Sequence, residues 1–211
     1  MTKDGIGAFL ERQRKGYFAP HTWAFWRGLI VCFCVFSLVG HLLEFPYCTF
    51  MGNFGIVSTG YALWTDPWFH PYWVYGIGAV VMTLALEPFK ESLFRRCKTV
   101  GGALLVTFVV MVILAMLMEL LIGELVNQPD AAGVYPYWDN SRLPLNIAGQ
   151  AWLVNDLAIG AAAMLYLWVL YPLICEGFAR LSPRAANIVF GVIVAVFAGC
   201  CIASYSILSL W

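Results

Sequence analysis

Five runs of mainly apolar residues dominate this chain: about Trp23 to Phe45, Tyr72 to Phe89, Gly101 to Leu125, Gly149 to Cys175 and Ala186 to Leu210. A bilayer's hydrocarbon core is about 30 Å thick and a helix rises about 1.5 Å per residue, so each run is close to one membrane crossing. Composition agrees. Of 211 residues, 62% are hydrophobic and 11% charged, against roughly 25% charged in an average soluble domain. So few charges, summing to zero, could not coat a soluble monomer. They equally exclude a disordered chain or a nucleic-acid binder. The expected fold is all-α: a polytopic membrane protein, a five-helix transmembrane bundle with two long aromatic outer loops. Residues 1–22 would form a cytoplasmic basic segment and residues 23–211 the membrane domain.

The placement of the charges carries more than their sum. Lys3, Arg12, Arg14, Lys15 and Arg27 lie at or before the first run. Lys90, Arg95, Arg96 and Lys98 lie between the second and third, and Arg180 and Arg184 between the fourth and fifth. Eleven of the twelve basic residues therefore fall on one side of a five-span zigzag, and only Arg142 on the other. The positive-inside rule puts the N-terminus in the cytoplasm and the C-terminus outside, as in a bacterial inner-membrane protein. The cytoplasmic side sums to about +6 and the outer side to about −6.

The N-terminal segment has no apolar core of signal-peptide length and is expected to be retained. It could lie at the interface, with Ile6, Phe9, Leu10, Tyr17 and Phe18 touching lipid. The seven cysteines do not suggest a disulfide framework: most lie in apolar runs and behave as small hydrophobes, and only Cys48 is expected to reach the outside. Glu87 with Lys90, and Glu91 with Arg95, read as ion pairs on a solvated cytoplasmic helix end.

The outer links, residues 46–71 and 126–148, show no clear helix or strand pattern. They carry Tyr61, Trp64, Trp68, Tyr135, Tyr137 and Trp138, which suit an interface or a cap. An internal echo accompanies them. Glu44 precedes Trp64 and Asp66 much as Glu119 precedes Trp138 and Asp139, with Glu-to-Trp separations of 20 and 19 residues. A parallel repeat of this kind is familiar in transporters.

Ionisable residues in a span normally face a protein interior or a water-filled cavity. Glu44 and Glu119 sit near the outer ends of their helices, where each could bind a ligand, cap a loop or meet water. Asp156 is expected about 10 Å into the fourth helix, beside Asn155. It would need a proton, a cation, Arg142 or a histidine to balance it. His41 and Glu44 share a helix face, and His70 starts the second span from the same side. No His-rich or Cys-x-x-Cys pattern supports a metal there, so no metal or other cofactor is expected. There is no Walker A pattern to hydrolyse ATP and no Gly-x-Ser-x-Gly or His-Glu-x-x-His.

Three stretches resemble the putative ABC-transporter type IV (CmpB-like) membrane proteins, over about residues 30–175. Gly40-His41-Leu42-Leu43-Glu44 is similar to that family's Gly-Trp-x-x-Glu, with His41 in place of Trp. Pro71-Tyr72-Trp73-Val74-Tyr75-Gly76-Ile77-Gly78 resembles its Gly-Pro-Tyr-Cys-x-x-Tyr-Gly-x-Gly, one residue shorter and without the Cys. Met118-Glu119 through Gly123, Tyr137-Trp138-Asp139 and Pro144-Leu145-Asn146 through Gly149 resemble its Leu-Glu-x-x-x-Gly, Trp-Asp-Tyr and Pro-Phe-Asn-x-x-Gly. The resemblance implies a permease-like role and a shared framework of Glu44, Tyr72, Gly76, Glu119, Trp138, Asp139, Asn146 and Gly149. Asp156 stands where the family would be expected to carry a small polar residue.

The expected function is a transport component with an outward-facing acidic and aromatic pocket for a cationic or polar small ligand. Glu44, Glu119, Asp156, Trp138, Asp139, Tyr72 and His41 are its candidate ligands. Gly76, Gly78, Asn146 and Gly149 would be framework, the glycines permitting close packing and Asn146 capping the fourth helix. The expected partners are the lipid bilayer, a separate ATPase or membrane protein at the cytoplasmic basic links, and a second copy of the chain. Two other readings stay open: an intramembrane enzyme using paired carboxylates on a lipid-linked substrate, and a non-catalytic scaffold.

Overall fold

Helix dominates the computed structural model, which describes residues 3–56, 67–97 and 99–208. Tyr61, Trp64, Asp66 and Lys98 lie outside the described residues, as does the Ile6 side chain. The elements are α1 (Lys3–Lys15), α2 (Trp23–Gly52), α3 (Trp73–Arg96) and α4 (Val100–Val126), then a hairpin of β1 (Asn146–Ile147) and β2 (Ala151–Trp152). A rod follows, made of α5 (Leu153–Leu165), a π-helical turn (Tyr166–Leu170) and α6 (Tyr171–Ala179); α7 (Pro183–Leu208) completes the chain.

Helix starts are locally encoded. The Thr22 hydroxyl accepts from the Phe25 amide at 3.3 Å and the Thr99 hydroxyl from the Gly102 amide at 3.2 Å, each satisfying an otherwise orphaned N–H. α1 ends at Gly16, whose φ of 70° suits the left-handed position after a helix. α2 does not stop at Phe45: it continues through Pro46 to Gly52. One proline removes a single N–H and the turns on either side hold the helix together.

α2, α4, α7 and the rod Leu153–Ala179 are long and apolar enough to cross a membrane. α3 has the length, at 24 residues, but Glu87, Pro88 and Lys90 dilute its apolar character.

The chain divides into two compact units, one of Met1–Gly16 with Ala85–Leu170 and the other of Tyr17–Leu84 with Tyr171–Trp211. In the first, α4 packs on α5. Ala103, Thr107, Met111 and Ala115 recur every fourth residue and are buried. Gly160 lies so close to Val112 that an added Cβ would overlap it. Small residues at a helix contact are how membrane helices approach closely. The opposite face of α4, with Leu105, Val109, Ile113, Leu117 and Leu121, is exposed and wholly apolar, as a lipid-facing surface is.

In this unit α1 docks on protein rather than on lipid alone. Phe9 stacks on Trp168, and the Gln13 side-chain amide donates to the Trp168 carbonyl at 2.9 Å. In the second unit Tyr17 donates to Glu176 at 2.9 Å and Phe18 packs edge-on to Phe25. These aromatics thus have protein partners, while Phe9, Tyr17 and Phe18 each stay partly exposed. Still in the second unit, Gly40 and Gly76 lie where an added Cβ would overlap the Tyr75 ring and the Ser37 and Phe33 atoms. A Cβ at Gly78 would meet nothing within 4 Å, so the packing role expected of that glycine falls to Gly40. No disulfide joins any of the seven cysteines, and Cys48 is buried.

Candidate functional site

Glu119, near the C-terminal end of α4, and Asp156, in the first turn of α5, meet side chain to side chain. Their carboxyl groups are neighbours across the α4–α5 contact, and two adjacent acids favour a shared proton or a bound cation over double ionisation. Glu119 Oε1 also accepts from the Asn155 side-chain amide at 2.7 Å, and Oε2 from the Trp152 backbone N–H at 3.4 Å. Asp156 is 1% exposed, and neither of its carboxyl oxygens has a hydrogen-bond partner among the described residues. The expected depth of Asp156 is corrected: α5 begins at Leu153, not near Gly149. Of the candidates to balance it, neither Arg142 nor a histidine is hydrogen-bonded to it among the described residues.

A polar fastening closes the loop above this pair. Asn127, the C-cap of α4, donates from its side-chain amide to the Trp138 carbonyl and to Gln150 Oε1, both at 2.8 Å. Its side-chain oxygen accepts from the Tyr137 and Trp138 amides at 3.0 and 3.3 Å. Gln150 returns a bond to the Asn127 carbonyl at 2.9 Å, and its carbonyl receives the Trp138 indole N–H at 3.0 Å. Every polar atom of the Asn127 side chain is satisfied, as a buried amide must be. Gly123 leaves the space that Gln150 fills.

Asn146 does not cap the helix. Its side-chain amide donates to the Leu143 carbonyl at 2.7 Å and its oxygen accepts from the Gly149 amide at 3.1 Å, so it pins the turn before the hairpin. The uncapped α5 starts from Trp152. Leu145, Ala148 and Gly149 have φ of 62°, 54° and 70°, a left-handed backbone that costs non-glycine residues energy and concentrates at functional or tightly constrained loops. Asp139 accepts from the Ser141 amide at 2.9 Å. The Ser141 hydrogen bonds, with Arg142 nearby, hold its carboxyl below the usual Asp range.

His41, Glu44 and Tyr72 lie in the other unit. His41 is buried, and its Nδ1–H donates to the His70 carbonyl at 3.1 Å, which fixes the tautomer because a carbonyl can only accept. Its ring stacks on Tyr72 with centroids 4.3 Å apart. Glu44 Oε2 accepts from the Tyr75 hydroxyl at 2.9 Å. His70 hydrogen-bonds the Ser204 hydroxyl. No group of three His, Cys, Asp or Glu side chains among the described residues is placed to hold a metal ion.

One polar cluster was read wrongly. Glu87 and Lys90 are not on a solvated helix end: they are 0% and 1% exposed and pair at 2.7 Å. Lys90 also donates to the Leu167 carbonyl at 3.0 Å and lies 5.7 Å from the Trp168 ring centroid. A π-turn shifts the backbone bonding register, and Lys90 and Gln13 engage the carbonyls at Leu167 and Trp168.

The family model for putative ABC-transporter type IV proteins matches residues 31–205. The chain belongs to that family. No curated protein and no solved structure matches it. The family assignment spans α2 through most of α7, including both ends of the Glu119–Asp156 pair, and gives the protein the character of an ABC-transporter-related membrane component.

Proposed function

We propose that this family member is a five-span, permease-like transport component with its N-terminus in the cytoplasm, and that the Glu119–Asp156 pair is its ligand-responsive site. The observation that carries this reading is the isolation of Asp156: a buried carboxyl whose polar counterpart is another carboxyl. Two adjacent acids cannot both ionise without a compensating positive charge. A shared proton supplies it in the resting protein, and a cationic ligand that enters displaces that proton. Asn155 and the Trp152 amide keep Glu119 in place while the proton leaves, and the Asn127–Gln150 fastening holds the loop carrying Trp138.

α3 serves as the fifth span in this reading, its two buried charges neutralising each other. The basic cytoplasmic links dock a separate ATPase, since the chain has no nucleotide-binding motif. Glu44 with Tyr75, and His41 with Tyr72, are a second set of polar contacts in the other unit.

The test is a thermal-shift panel on the purified protein with sodium, tetramethylammonium and spermidine as cationic probes. At least one is expected to raise Tm, by mass action on the folded state, and Glu119→Gln with Asp156→Asn should abolish the shift. Equal shifts in wild type and double variant would remove the acid pair from the binding site.

A further inference from the structure

Outside the acid site, the first unit has a groove of about 350 Å³ lined by Leu10 and Arg14 of α1, Phe94 and Arg95 of α3, and Thr99 and Val100 at the start of α4. We propose that this groove binds the headgroup of an anionic membrane lipid, with Arg14 and Arg95 on its phosphate.

Three observations converge. Arg14 and Arg95 both have exposed side chains and neither makes an ion pair among the described residues. Two guanidinium forks facing one cavity match a phosphodiester, which arginine binds through paired N–H···O contacts. Of the remaining walls, Leu10, Phe94 and Val100 are apolar, and Cys97 and Thr99 complete the lining. From Val100 the exposed apolar face of α4 continues through Leu105, Val106 and Val109. A charged pocket opening onto a lipid-facing helix selects an amphiphile with a phosphate head and acyl tails; a free anion would use only the first part. The positive end of the 27-residue α4 lies at the same place and favours negative charge. The groove also joins α1 to the α3–α4 link, so a bound lipid would clamp α1 in its docked position.

This site is separate from the acid pair and does not depend on it; only its assignment to the inner leaflet rests on the orientation proposed above. Native mass spectrometry of the full-length protein in detergent, titrated with phosphatidylglycerol or phosphatidylcholine, tests it without reference to orientation. One phosphatidylglycerol should be retained at concentrations where phosphatidylcholine is not. Arg14→Gln with Arg95→Gln should lower its affinity at least tenfold, and each single variant at least threefold, so the result stays readable if the double variant is unstable. Arg180→Gln with Arg184→Gln, in the other basic link, should leave it unchanged, and millimolar inorganic phosphate should not displace the lipid. Retention unchanged in R14Q and R95Q, equal loss in the Arg180/Arg184 control, or displacement by phosphate would overturn the proposal.

Discussion

The carboxyl groups of Glu119 and Asp156, 37 residues apart in the chain, are buried neighbours between α4 and α5. The pair is asymmetric. Glu119 has two donors, the Asn155 amide and the Trp152 N–H, whereas neither oxygen of Asp156 has a hydrogen-bond partner among the described residues. Removing Glu119 therefore strands two donors, while removing Asp156 leaves Glu119 still bonded and takes away a buried acid that makes no hydrogen bond. Glu119→Ala should cost more folding stability than Asp156→Ala, by about 1–3 kcal/mol, the penalty of a buried polar group left unsatisfied. Denaturant unfolding in micelles measures the difference, and equal losses would contradict it.

The buried ion pair makes a second prediction. Lys90→Met leaves Glu87 charged and enclosed, and should cost about 3–5 kcal/mol. Adding Glu87→Leu to Lys90→Met should recover most of that loss, because replacing both partners removes the uncompensated charge. A solvated pair would show almost no effect in either variant, so the double-variant recovery distinguishes the two situations.

How much of this was legible in the sequence follows from what acts locally. The apolar runs of α2, α4, α5–α6 and α7 were, because lipid imposes length and hydropathy on each span independently. The Thr22 and Thr99 caps act within three residues. Glu119 and Asp156 stood out singly as acids in apolar surroundings, yet nothing local announces that they meet. Glu87 and Lys90 have the i, i+3 spacing of a surface pair, and what Lys90 meets comes from far along the chain: the Leu167 carbonyl and the Trp168 ring of the π-turn. Asn127 and Gln150 escaped notice because a buried amide pair has no sequence signature; the adjacent Gly123 was the one available hint. The first apolar run was expected to end near Phe45, and α2 continues through Pro46 to Gly52 because the turns on either side of the proline hold the helix.

The loop fastening predicts local rather than global loosening. Asn127→Ala removes four side-chain hydrogen bonds at once, worth together about 2–4 kcal/mol at roughly 0.5–1 kcal/mol each. Hydrogen exchange should accelerate across residues 135–150 and stay unchanged in α7. Uniform acceleration would mean that Asn127 supports the whole fold instead.

Asp139 gives the same loop a pH dependence. Because its folded carboxyl lies below the ordinary Asp range, its contribution is complete above that range and is lost as pH falls through the lowered folded value. Indole fluorescence followed on acidification should show a small transition there that Asp139→Asn removes. The group is exposed, so the effect is confined to the loop and screened by salt.

The glycines separate cleanly. Gly76→Ala forces a Cβ onto Ser37 and Phe33 and should destabilise by about 1–3 kcal/mol. Gly78→Ala meets open space and should stabilise α3 by about 0.5–1 kcal/mol through lower backbone entropy in the unfolded chain. Paired melting curves check both signs.

The central claim is that the Glu119–Asp156 pair holds one proton that a cationic ligand displaces. Infrared difference spectroscopy of the protein during addition of the probe that raises Tm tests it most directly. The account predicts loss of a protonated-carboxyl C=O band with gain of carboxylate bands in the wild type, and neither change in Glu119→Gln with Asp156→Asn. A carboxyl spectrum unaltered by the probe in wild type, or the same change in the double variant, would contradict it.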